Sequence, residues 1–168
     1  RHRVEHAQLL HPEDVRRFAD LGVVASMQPV HILTDIPVAE RYWGRRSRWA
    51  YAFRSLSKSG AMLAFGSDAP VETPDPIRGI YAAVARKQLD GTPDSGWYPE
   101  ERMTVEETIR AYTAGAAMAS ADELTRGTLV RGSFADMTIL SRDIFSTPAA
   151  EILDARVAAT VIAGQFVF

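Results

Sequence analysis

The chain has 168 residues, a net charge of −2 and 46% hydrophobic residues, ordinary globular usage with enough material for one domain and its core. Near-neutral charge argues against a dedicated nucleic-acid binder, and no window approaches the ~20 consecutive apolar residues of a membrane helix. Zero cysteines exclude a disulfide framework and thiolate metal sites; this suits a reducing compartment, so a cytoplasmic location is the expectation.

The sequence opens inside a strand-like run, residues 2–6 (HRVEH), which points to further residues upstream. A helix is expected over HPEDVRRFADLG: Pro12 suits its first position, Glu13 and Asp14 its positive end and Gly22 its exit. Val15, Phe18, Ala19 and Leu21 make its apolar stripe. Residues 23–27 (VVASM) read as a short buried strand, followed by a loop with Pro29 and His31. Residues 35–43 and 47–58 read as helical, ending at Gly60. Within them RYWGRRSRWAYAFR interleaves arginines with Trp43, Trp49 and Tyr51. Such a mixture can bind single strands, but it also fits an amphipathic helix with a solvated arginine face, the reading preferred here. Residues 62–66 (MLAFG) are a third strand, and 75–89 a helix capped by Asp75 with Pro76 in its first turn.

After a loop rich in proline and glycine (90–102), Thr104 and Glu107 have the spacing of a capping box and start a helix that Gly115 interrupts. From Leu124 the style changes to short strands and tight turns, with Gly164-Gln165 expected to turn a terminal hairpin. The strand–helix alternation of the first 90 residues implies parallel strands with crossover helices, in an open sheet or part of a barrel.

Active sites of such folds lie at the C-terminal ends of the strands. Period-two alternation groups Met62, Ala64, Gly66 and Asp68 on one face of the third strand, Leu63 and Phe65 on the other. Asp68 then ends a strand on its interior side, or forms a turn or cap before Pro70. The same rule groups His2, Val4 and His6, which sends Arg3 and Glu5 toward the helices. His31 follows the second strand, and His11 caps or borders a helix. Histidine and aspartate at three consecutive strand ends suit zinc or a similar divalent ion, although a catalytic zinc takes about three protein ligands plus water.

The stretches RHRVEHAQ, GVVASMQPVH and LAFGSDAPVETPDPIRGIYAAV, in that order, resemble the amidohydrolase superfamily. The nearest branch is the third amidohydrolase family, whose members cleave formamides and N-acyl amides. The tail, GTLVRGSFADMTILSRD and VAATVIAGQFVF, is similar to that family's closing β-unit.

The resemblance implies an α/β fold: a partial (β/α)8 TIM barrel, its last three βα units with strands 6 to 8, followed by a small β-unit. Residues 1–123 would be the barrel part and 124–168 the β-unit. His6 would be a metal ligand, Asp68 a metal ligand and the catalytic proton-transfer group, and His31 a substrate contact or a support behind the ligands. Trp97 and Tyr98, in the 90–102 loop, are expected to line a substrate pocket. The implied reaction is hydrolysis of a non-peptide, amide-type C–N bond by a metal-activated water, with a divalent ion such as zinc and a small-molecule amide as partner. A homo-oligomer is left open.

The family's His-X-His on strand 1, its strand 4 ligand and its strand 5 histidine have no counterpart here. The chain is therefore expected to be a C-terminal portion of a larger enzyme, inactive without its N-terminal barrel strands. Two other readings stand beside it: a deaminase of the same superfamily acting on a cyclic amidine, and a non-catalytic α/β binding module. The module would have to cover the strand edge at residues 2–6.

Overall fold

The computed structural model describes all 168 residues. Its first half alternates strand and helix: β1 (Arg3–Glu5), α1 (Pro12–Asp20), β2 (Val24–Met27), α2 (Ile32–Trp43), α3 (Phe53–Ser59), β3 (Leu63–Phe65) and α4 (Pro76–Ala85). The three strands form one parallel sheet in the order β1-β2-β3. Met27, Leu63 and Phe65 enter a core shared with Val15, Phe18, Leu56 and Ile80 from the covering helices. Phe65 packs at 5.1 Å from Phe53 and 5.6 Å from Tyr112, so the large side chains of β3 do face the helices.

Register corrects one expectation. Glu5 pairs with Ser26, which pairs with Ala64, whereas Val4 aligns with Ala25 and Leu63. Paired residues of a parallel ladder share a face. Arg3 and Glu5 therefore belong to the Ala64 face and pair with each other at 2.5 Å, and Val4 shares the helix-side face. His6 does not continue the alternation, because the chain turns at His6 (φ 67°) and Ala7 (φ 39°).

Local chemistry explains most helix boundaries. His11 accepts from the Glu13 amide, and Asp75 from that of Ile77 at 2.9 Å. Thr104 and Glu107 form the reciprocal capping box. Leu21, placed on the α1 stripe from sequence, lies past the helix end and is exposed.

The arginine-rich stretch is not one helix. α2 begins earlier than expected, at Ile32, and gives way to a 3₁₀ segment over Gly44–Trp49 before α3 starts at Phe53. Arg41, Arg45, Arg46 and Arg48 are nonetheless exposed while Tyr51 is buried. α4 stops at Ala85 because Arg86 takes a left-handed conformation (φ 52°). The helix from Thr104 is widened rather than broken: α5 (Val105–Arg110) passes through a π-helical segment, Ala111–Gly115, into α6 (Ala116–Ser120). Gly115 is required there, since a Cβ would lie 2.0 Å from the Leu63 carbonyl oxygen.

The tail forms a second sheet of β4 (Met137–Leu140), β5 (Val157–Ile162) and β6 (Gln165–Phe166), antiparallel throughout. Its closing turn is Ala163-Gly164, one residue earlier than expected, with both residues at positive φ as a two-residue hairpin favours. Ile144, Ile152 and Ala155 join the main core, so the tail packs on the helical layer instead of building a separate core. No helix is long and apolar enough to cross a membrane.

Candidate active site

The three parallel strands deliver their C-terminal ends to one rim, where His6, His31 and Asp68 sit. His6 follows β1 at the turn just described. Gln8 and Leu10 then pin the segment: the Gln8 carbonyl accepts from the Tyr51 amide at 2.9 Å, and the Leu10 amide donates to Trp49. His31 closes a 3₁₀ turn, Pro29–His31, that begins after Gln28 at the end of β2. Asp68 follows β3 with φ 60°, its carbonyl accepting from the Val71 amide at 2.8 Å. Left-handed backbone at a non-glycine residue costs roughly 1–3 kcal/mol and gathers at functional sites. His6 and Asp68 both carry it.

The His6 and His31 rings stack with centroids 6.2 Å apart and planes 22° from parallel. His31 Nε2 lies 3.9 Å from Asp68 Oδ2, beyond hydrogen-bond reach. That nitrogen is buried and has no hydrogen-bond partner. The Asp68 carboxylate is about a third exposed, and it forms no hydrogen bond within the chain. Two imidazoles and a carboxylate are donor types that zinc takes, and the His31 nitrogen beside Asp68 has its hydrogen-bonding capacity unused. No three His, Asp or Glu side chains converge closely enough to hold a metal by themselves. The donor chemistry thus fits part of a divalent-metal site.

Gln28 and a group of Gln8, Asp35 and Tyr51 were not assigned to the site from sequence. Gln28 is buried, and its Oε1 lies 2.9 Å from His6 Nδ1. Two residues beyond His6, Gln8 donates at 2.6 Å to both Asp35 and the Tyr51 hydroxyl, and Tyr51 donates to Asp35. Burial, reinforced by the Asp35 carboxylate, pushes the Tyr51 phenol far above its ordinary range, so it remains a neutral donor. The only sequence signal for Gln28 is its place before Pro29 and His31. Nothing local signals the Gln8–Asp35–Tyr51 group, whose members come from three segments.

Trp97 and Tyr98 have a different setting from the one expected. Trp97 is buried, donating Nε1 to Glu40 at 2.6 Å and packing edge-on to Tyr51. The Tyr98 hydroxyl hydrogen-bonds Ser47 at 2.8 Å and Glu40 at 3.2 Å. Their polar atoms are used inside the fold, where they fasten the 90–102 loop to α2 and the 3₁₀ segment.

The amidohydrolase family matches residues 1–168. YtcJ of Bacillus subtilis (strain 168) is 36% identical over 167 residues, covering 99% of this chain and 32% of that protein. The N-substituted formamide deformylase of Arthrobacter pascens is 29% identical over 164 residues, covering 96% of this chain and 30% of that protein. An uncharacterized metal-dependent hydrolase from Pyrococcus horikoshii OT3 superposes with a TM-score of 0.74 at 31% identity, over 88% of this chain and 30% of that one. The chain therefore spans about a third of the length of these relatives.

Proposed function

The chain belongs to the amidohydrolase family, and from that premise we propose that it supplies the last three βα units, strands 6 to 8, of a metal-dependent hydrolase barrel. Residues 124–168 are its closing β-unit, and the whole enzyme hydrolyses a non-peptide, amide-type C–N bond of a small molecule. The observation that carries this reading is the meeting of His6, His31 and Asp68 at one rim, with a buried His31 nitrogen left unpartnered beside a free carboxylate. The sheet supports it too: β1 pairs only with β2, and its three residues are exposed, as a strand awaiting a neighbour would be. A self-contained binding module would cover that edge. The absence of cysteine favours a reducing, cytoplasmic setting.

In this proposal His6 and Asp68 are this chain's contribution to the metal ligands. A divalent ion such as zinc supplies Lewis-acid charge that brings the pKa of water to about 7 and polarises a carbonyl. Asp68 takes the proton of the attacking water and passes it to the leaving nitrogen, so that amide and water become acid and amine. Its side chain accepts no hydrogen bond within the chain, so Asp68 can do this without first breaking one. His31 Nε2 contacts the substrate or supports Asp68. Trp97 and Tyr98 are not assigned to the substrate, because their polar groups are already paired.

The test is hydrolysis by the full-length protein of a panel of formamides, N-acyl amides and cyclic amidines, before and after chelation. The expected result is amide hydrolysis that chelation abolishes and zinc restores. Amide hydrolysis untouched by thorough chelation contradicts the proposal. Turnover of cyclic amidines alone would replace it with the deaminase reading.

A further inference from the structure

We propose that Gln28 is a positioning residue that fixes the tautomer and aim of His6. The inference rests on the reading of His6 as a metal ligand and goes beyond it to a residue that touches neither metal nor substrate. Gln28 is 7% exposed, and its side chain makes a single hydrogen bond, to His6 Nδ1 at 2.9 Å. A buried amide is retained where its hydrogen bond matters, since leaving it unpaired is costly. The backbone of Gln28 is held independently: it directly follows β2, and its carbonyl accepts from the His31 amide at 3.2 Å.

An amide oxygen can only accept, so Nδ1 carries the proton and Nε2 keeps its lone pair. The bond also orients a ring that is otherwise poorly restrained, because His6 is exposed and lies at the end of an edge strand. With Nδ1 tied to Gln28, the opposite edge of the ring bears the free lone pair. Histidines that bind metals almost always donate their other ring N–H to such an acceptor, and losing it lowers metal affinity about 10- to 100-fold.

The experiment measures zinc affinity of the metal-free full-length protein by competition with a chelating dye. It compares the wild type with His6→Ala, Gln28→Leu, Gln28→Asn and Gln28→Glu. Gln28→Leu removes the acceptor. Gln28→Asn keeps a buried amide one methylene too short to reach, so the outcome does not depend on the leucine variant folding. Gln28→Glu keeps an acceptor at full reach. The expected result is a loss of about 10- to 100-fold in the leucine and asparagine variants, with the glutamate variant close to wild type. Wild-type affinity in both Gln28→Leu and Gln28→Asn overturns the proposal while leaving His6 a ligand. So does a loss in Gln28→Glu as large as in Gln28→Leu, because the amide would then be acting as a donor. Wild-type affinity in His6→Ala removes the ligand reading itself, and this inference with it.

Discussion

Asp68→Asn is expected to lower amide-hydrolysing turnover of the full-length protein at least ~100-fold, the lower scale of general acid–base catalysis. The substitution is unusually clean. Asp68 sits at φ 60°, and asparagine is among the few residues that adopt that region readily. Its side chain makes no hydrogen bond that the amide would break, and its backbone contact to Val71 does not depend on the side chain. Shape and fold are therefore kept, while the basic carboxylate and its negative charge are lost. Unfolding temperature should stay near that of the wild type. Near-normal turnover in this variant would remove Asp68 from the proton-transfer role.

The largest expected effect on stability comes from Arg86→Met. Arg86 is fully buried, yet no carboxylate hydrogen-bonds it. Its guanidinium donates to the carbonyls of Trp97 at 2.6 Å, Tyr51 at 2.8 Å and Ala50 at 3.4 Å. It also lies over the Phe53 and Trp97 rings at 5.6 and 5.3 Å. The Trp97 amide returns a bond to the Arg86 carbonyl at 2.6 Å, so the two residues are tied both ways. Burial lowers the guanidinium pKa to about 10, which still leaves it charged at neutral pH.

Methionine would fill much of the same space but leave the Trp97 and Ala50 carbonyls without donors. At about 1–3 kcal/mol for each buried group left unpaired, the cost is on the order of 3 kcal/mol. It would fall on the segment carrying Tyr51, and thus on the Tyr51–Asp35–Gln8 network. A clear drop in the unfolding temperature of the full-length protein is the expected result. An unchanged transition would mean that these carbonyls find other partners.

Much of the α/β order was legible in the sequence because its signals are local. Pro12, the Asp75-Pro76 pair and the Thr104–Glu107 box act within one helical turn, and each sits where its helix begins. Phe65 and Leu63 face the helices because period two holds within β3. The same rule misled at β1. Its charged and apolar residues alternate on an edge with little burial to choose between faces, so only the register with β2 decides. The early end of α4 was not legible either. Arg86 lies in an ordinary basic stretch, and its partners are 11 and 35 residues away. The setting of Trp97 and Tyr98, expected at a substrate pocket, was not legible because their partners Glu40 and Ser47 lie 57 and 51 residues earlier in the chain. At the candidate site the residue types could be read, but not the acceptor behind His6, which is set 22 residues along the chain.

The central claim is that His6 and Asp68 meet at a divalent metal with His31 beside them. It is tested most directly by anomalous diffraction at the zinc absorption edge, on crystals of the zinc-loaded full-length protein. The account predicts a peak at about 2.0–2.1 Å from a His6 ring nitrogen and about 2.0–2.2 Å from an Asp68 oxygen. A fully occupied zinc bound elsewhere, with neither residue in contact, would contradict it.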